Sequence, residues 1–270
     1  MGTLSNIIIM PYNTLTLGAA LLTAIAGALV GNLLLMRKMT LVADSMPHIA
    51  LPGVALGIMF QFNPLLGALL LLSLAVIIIW TIEHKTDLEI DSIIGVLFVT
   101  SLAIGSLLVP KEELLESFFG TIEKVTSGEA LFAIALALTI ICIIQKRYRS
   151  LVLTSIAPEL AESIGIDRKR SELLFLTLVA FIVAAGIKFV GVLLMSSMLI
   201  IPSVTARNMS KTSLEIFFKL SVVFAIISIV GGIVLSGGVG ERVGILTALT
   251  SATLFGVSLI PALLVNNKNR

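Results

Sequence analysis

Residues 64–82 read PLLGALLLLSLAVIIIWTI, nineteen positions without a charge. About 18 apolar residues suffice for a helix to cross the ~30 Å hydrocarbon core of a bilayer. Working outward, comparable runs occupy 15–36, 41–60, 92–110, 128–145, 172–187, 189–206, 214–236 and 243–265. They are continuously apolar rather than alternating, which disfavours a porin-type barrel. Of the 270 residues, 57% are hydrophobic and 13% charged, against about 25% charged in an average soluble domain. A soluble enzyme and a nucleic-acid-binding domain are thereby excluded, as is disorder, whose signature is low hydrophobicity. The expected fold is an all-α polytopic membrane protein, one transmembrane domain over 1–270. It should carry about nine transmembrane helices. The count falls to eight if the short runs 172–187 and 189–206, parted only by Lys188, form one hairpin or a broken helix with a loop at membrane depth.

Lysine and arginine collect in cytoplasmic loops. With the N-terminus outside and nine spans, 14 of the 18 basic residues fall on the cytoplasmic side, and only Lys111, Lys124, Lys188 and Arg242 fall outside. The C-terminus is then cytoplasmic. Residues 1–13 lack the basic start of a cleaved signal, so the first span should be permanent. Two connectors stand out. The external one, 111–127, is acidic, with Glu112, Glu113, Glu116 and Glu123, and Glu129 just beyond. The cytoplasmic one, 146–171, is basic at both ends. Between them Pro158-Glu159-Leu160-Ala161 and Gly165 carry start and stop signals for a short surface helix over 155–166. The lone cysteine, Cys142, reads as a small buried hydrophobe. Trp80 reads as an interfacial anchor, and His84 as a solvated loop residue.

Enzyme motifs are absent: there is no P-loop and no H-E-x-x-H. The chemistry concentrates at Asp44 and His48. Asp44 is the only acid between Lys38 and Glu83, and its four-residue spacing from His48 puts both on one helical face. A charged Asp in hydrocarbon costs at least ~2.5–3.5 kcal/mol on insertion scales, so such residues pair, meet water or mark an ion path. Carboxylate and imidazole together suit a borderline divalent cation such as zinc or manganese. Hydration near the cytoplasmic interface, or a mutual hydrogen bond, would explain the pair as well. Pro47 and Pro52 each remove a backbone donor and should bend or open this helix. Gly27 and Gly31, Gly53 and Gly57, and Gly240 and Gly244 recur at the spacing that lets helices approach closely. Ser196 and Ser197 sit mid-way along a run ending near Pro202, and either bond to neighbouring helices or line a polar path.

Taken in order, several blocks resemble the membrane subunit of bacterial ATP-driven importers for zinc, manganese or iron. The blocks are Asp44, His48 and Leu51-Pro52-Gly53-Val54-Ala55; Ile90-Asp91-Ser92 to Gly95; Phe119-Gly120; Glu159-Leu160-Ala161 to Gly165; and Val190-Gly191 through Ile201-Pro202 to Thr205-Ala206-Arg207. Together they span about residues 15–265. Two departures stand beside them. Pro47 lies between the two candidate ligands, and 98–101 read Phe-Val-Thr-Ser where many zinc-type relatives carry a further His.

The resemblance implies a type II ABC importer-like permease in a bacterial or archaeal cytoplasmic membrane, working as a homodimer. It implies two cytoplasmic ATPase subunits and an extracytoplasmic metal-binding protein as partners. The chain itself is then not an enzyme and holds no permanent cofactor. Zinc is favoured over manganese by the blocks around Lys188 and Pro202. Asp44 and His48 take the metal-site role, and 155–166 the role of the helix that couples to the ATPase. The rival from another class is an ion-coupled secondary transporter that uses Asp44 as a proton or ion relay. An intramembrane enzyme lacks any paired catalytic set.

Overall fold

The computed structural model describes residues 13–108, 118–210, 213–239 and 241–266. The acidic stretch Glu112, Glu113 and Glu116, the uncharged start at 1–12, and Gly240 lie outside them. The helices are α1 (Thr14–Met36), α2 (Thr40–Ile49), α3 (Leu51–Met59), α4 (Pro64–Lys85), α5 (Ile90–Leu108), α6 (Ser127–Ile156), α7 (Pro158–Ser163), α8 (Arg168–Val190), α9 (Met195–Met209), α10 (Leu214–Val239) and α11 (Val243–Asn266). Among the described residues there is no strand.

Eight segments are long and apolar enough to cross a membrane, counting α2 and α3 as one. The ninth apolar helix, α9, has 15 residues and spans only ~22 Å at 1.5 Å per residue. Eight full-length spans and one short helix therefore replace the choice between eight and nine. The short helix is packed inside, against α1, α2, α10 and α11. α1 is the central strut, touching α6, α8, α9, α10 and α2. Its buried Asn32 donates to Ser221 of α10 at 2.6 Å.

The break between α8 and α9 falls at Gly191, three residues beyond the boundary the sequence marks at Lys188. Lys188 does not end the helix because its ammonium meets Glu129 at 3.2 Å. Gly191 does, with φ at +90°, a conformation that favours a residue without Cβ. Gly120, at φ +74°, packs backbone to backbone against it. Thr121 N–H donates to the Lys188 carbonyl at 2.9 Å and Leu193 N–H to the Phe118 carbonyl at 3.1 Å. Gly244 of α11 closes on the carbonyls of Val190 and Phe119. The Phe119-Gly120 and Val190-Gly191 blocks, 70 residues apart in sequence, thus form one roof over the break.

α6 starts with a reciprocal cap. Thr126 Oγ1 accepts from Glu129 N–H, and Glu129 accepts from Thr126 N–H at 2.9 Å. It runs for 30 residues, well past the apolar stretch 128–145. A charged surface continues the helix once it leaves the hydrocarbon, so most of the 146–171 connector is helical. Within it α7 covers Pro158–Ser163 only, shorter than 155–166, because Pro158 sets its first turn and Gly165 follows at φ +85°.

Apolar side chains of α4 and α5, among them Leu70, Ile77, Val96 and Leu107, are exposed, as a lipid-facing belt requires. Cys142 is exposed too. The sequence expectation of burial fails there because an apolar run says nothing about whether lipid or protein surrounds it. His84 is not a solvated loop residue either. Its side chain is 15% exposed and its ring lies 4.8 Å from that of Trp80, whose indole N–H donates to the Lys169 carbonyl at 3.1 Å.

Candidate functional site

The segment carrying Asp44 and His48 is one span bent in the middle. Pro47 lies within α2 and Pro52 in the first turn of α3, with the interruption at Ala50. Proline at 47 and 52 leaves the carbonyls of Ala43 and His48 without their usual helical donors. Behind this bend, Gly53 faces Gly67 of α4 so closely that a Cβ on either would strike the other's carbonyl oxygen. Gly57 meets Pro64 in the same way. On the other side of the bundle Gly31 faces the Leu199 carbonyl of α9, while Gly27 has ordinary space. Gly31, Gly53 and Gly57 are therefore close contacts within one chain, and they press α3 and α9 against their neighbours with little slack.

Asp44 is exposed. It opens on a groove of about 460 Å³ lined by Thr40, Leu41, Ser196, Ser197, Ile200 and Ile201. The structure thus brings together Asp44 and the two serines that the sequence singled out separately. Ser197 Oγ donates to the Leu194 carbonyl at 2.5 Å. Pro202, buried in α9, stands just beyond Ile200 and Ile201. His48 points elsewhere. It is buried, and its ring meets Phe98 of α5 edge to face at 5.1 Å. Its Nδ1 has no hydrogen-bond partner among the described residues. Asp44 and His48 do not hydrogen-bond each other among those residues, so a mutual bond does not account for them. Phe98 belongs to the stretch where a further His was missing. No group of three or more His, Cys, Asp or Glu side chains close enough to hold a metal occurs among the described residues. One chain offers at most two ligand-type groups at this place.

At the cytoplasmic end, the short helix α7 carries Leu160 and, just past its end, Ile164, both more than half exposed. Glu159 and Glu162 are exposed beside them, whereas Ala161 is buried. Exposed apolar residues among charges, outside the membrane, need a cover. Next to α7 a polar cavity of about 360 Å³ is lined by Arg37, Glu83, Thr154, Ser155, Pro158 and Glu172, among others. Arg37 was counted in the sequence only as a topogenic charge. In the fold it is a partly buried hub. Its Nη2 donates to Thr154 Oγ1 and its Nε to Ser155 Oγ, both at 3.1 Å. Its Cζ lies 4.2 Å from the centroid of the Phe175 ring. Burial lowers its pKa to about 10, against the pull of Glu172 in the other direction.

Comparisons with known proteins bear on the family and the fold. The chain matches the ABC 3 transport family over residues 12–262. It is 32% identical to the high-affinity zinc uptake system membrane protein ZnuB of Haemophilus influenzae, over 89% of this chain and 95% of that protein. It is 32% identical to the manganese import system permease protein ScaB of Streptococcus parasanguinis, over 90% of this chain and 89% of that one. Among solved structures, PsaBC from Streptococcus pneumoniae in complex with Fab superposes with a TM-score of 0.81 at 27% identity, covering 91% of this chain and 90% of that one.

Proposed function

The chain belongs to the ABC 3 transport family, and from that premise we propose that it imports a divalent metal ion, zinc before manganese or iron. It is a multi-pass transport component of the cytoplasmic membrane. The observation that carries the proposal is the setting of Asp44. It is the one acid on its span, and it faces an open groove with two serine hydroxyls rather than a buried partner. An acid on a membrane helix marks an ion path by default. The nearby His48 adds an imidazole, and that pairing favours zinc and its neighbours over calcium or magnesium.

Two ligand-type groups are too few for firm coordination. Two copies of the chain, arranged so that their α2 faces approach, would offer two carboxylates, joined by two imidazoles once the His48 rings turn from Phe98 toward that axis. A site assembled across such an axis holds the ion while the copies are close and releases it when they part. Release is a requirement here, since a conducting site must let its ion leave. Each copy would take one ATPase subunit on the cytoplasmic side. Pro158, Glu159, Leu160, Ala161 and Gly165 form the segment offered to it, with Leu160 as the apolar anchor. A metal-binding protein would deliver the ion at the outer face, near the acidic connector. Lys188 and the roof at Gly120 and Gly191 lie on that side.

The test is metal-dependent growth in a strain lacking zinc and manganese uptake, with the partner ATPase and binding protein supplied. Asp44→Ala and His48→Ala should each abolish rescue at wild-type expression. Near-normal uptake in both variants would sink the site. Uptake by the reconstituted chain alone, without an ATPase, would instead favour the relay reading of Asp44.

A further inference from the structure

We infer that Arg37 is the positioning residue that ties the coupling segment to the helix bearing Asp44. The inference rests on the permease reading above and adds the part that transmits motion.

Four observations meet at this side chain. First, its guanidinium bonds Thr154 and Ser155, the last turn of α6, and Ser155 precedes Pro158 of α7 by three residues. Second, Thr154 Oγ1 also lies 2.9 Å from Ser171 Oγ of α8, and the Arg37 cation stacks on Phe175 of the same helix. Both flanks of the coupling segment are therefore held at one point. Third, Arg37 caps α1, and the chain enters α2 at Thr40 after only two more residues. Fourth, that corner is stiff. Lys38 sits at φ +60°, Met39 N–H donates to the Leu34 carbonyl at 3.0 Å, and Lys38 N–H to the Leu35 carbonyl at 3.2 Å. This is the paired closure that ends a helix with a left-handed residue, here a lysine. A push on α7 that shifts the ends of α6 and α8 thus pulls on Arg37, and the rigid corner passes the shift to α2 and Asp44. Aliphatic packing at this spot would hold the helices together as well, but it would slide. Two directed bonds from one planar cation fix direction as well as distance.

The experiment uses the permease reconstituted with its ATPase subunit and binding protein in vesicles, and reads zinc ions moved per ATP hydrolysed. Arg37→Gln is expected to keep ATP hydrolysis and lower the transport ratio about tenfold, within the ~5–150-fold typical of coupling between sites. Arg37→Lys, which keeps the charge and loses the fork, should fall between. The paired variant Thr154→Val with Ser155→Ala leaves the cation in place and removes its acceptors. It should reproduce the loss, and this keeps the inference testable if Arg37→Gln does not assemble. An unchanged ratio in the paired variant, or equal losses of hydrolysis and transport, overturns the inference. Failure of the wild-type assembly to move zinc or manganese under ATP refutes the permease reading itself, so the two failures are distinguishable.

Discussion

The ion pair between Glu129 and Lys188 ties the first turn of α6 to the last turn of α8, and its removal makes a quantitative test of the outer end. The two charges stand 3.2 Å apart, with side chains 9% and 25% exposed. At an effective dielectric constant of about 20 the gross attraction is about 5 kcal/mol. Most of that offsets lost hydration. Each charge also retains help from its own helix, since an acid near an N-terminus and a base near a C-terminus gain ~0.3–1 kcal/mol from the helix dipole. A net coupling of about 1–2 kcal/mol is therefore expected. Glu129→Gln keeps an acceptor for the Thr126 N–H and removes only the charge, while Lys188→Met keeps the aliphatic stem. Each single variant should lower the apparent melting temperature in detergent by about 2–8 °C, at ~2–4 °C per kcal/mol for a chain of this size. The double variant should lose less than the sum of the two, by the coupling energy. Strictly additive losses, to within ~0.3 kcal/mol, would show that the pair is an accident of proximity and that Gly120 and Gly191 alone hold the roof.

Two further outcomes follow from the packing. Gly53→Val should strike the Gly67 carbonyl and cost about 1–3 kcal/mol by overpacking, whereas Gly18→Ala, with open space around it, should be neutral or stabilising; equal melting of the two variants would contradict the close crossing of α3 and α4. Burial lowers the pKa of Arg37 to about 10, so this group leaves the folded chain with fewer protons than the unfolded one only around and above that value. This group therefore raises stability with pH there and contributes no slope below. At pH 7 Arg37 is therefore charged in both states, and Arg37→Gln should cost about 1–3 kcal/mol there through its bonds to Thr154 and Ser155; equal thermal unfolding of the two chains at that pH would refute the assignment.

Much of the fold was legible because hydrocarbon imposes a simple rule on composition. The described part of each apolar run is helical apart from breaks at Ala50 and Gly191, and Asp44 and His48 both lie in α2, the one exposed and the other turned inward. The errors share one physical cause. Apolar runs report the solvent around a segment, not where its hydrogen bonds stop. Hence α6 ran on past residue 145, α8 ran through Lys188, and Cys142 faced outward. The candidate site was half legible. The scarcity of acids isolated Asp44, but nothing in the sequence placed Ser196 and Ser197 beside it. Nor did spacing show that Phe98 would meet the His48 ring. Arg37 was invisible for a different reason. It reads as one positive charge among many on the cytoplasmic side, and its role depends on hydroxyls more than a hundred residues away. Those hydroxyls, Thr154 and Ser155, carry no distinguishing signal of their own.

The shortness of α9 bears on how the protein is made. Insertion machinery releases a segment into lipid when it can satisfy the full thickness of the bilayer alone. Met195–Met209 cannot, and it ends on Arg207 and Asn208. Its hospitable surroundings are other helices, α1 and α2, made before it, and α10 and α11, synthesised after it. Asn208 reaches Ser258 of α11 at 3.2 Å, so that contact is available only once nearly the whole chain has emerged. The helix that lines the groove opposite Asp44 is thus among the last to settle. A nascent chain therefore lacks the complete groove at Asp44 until its synthesis is almost finished.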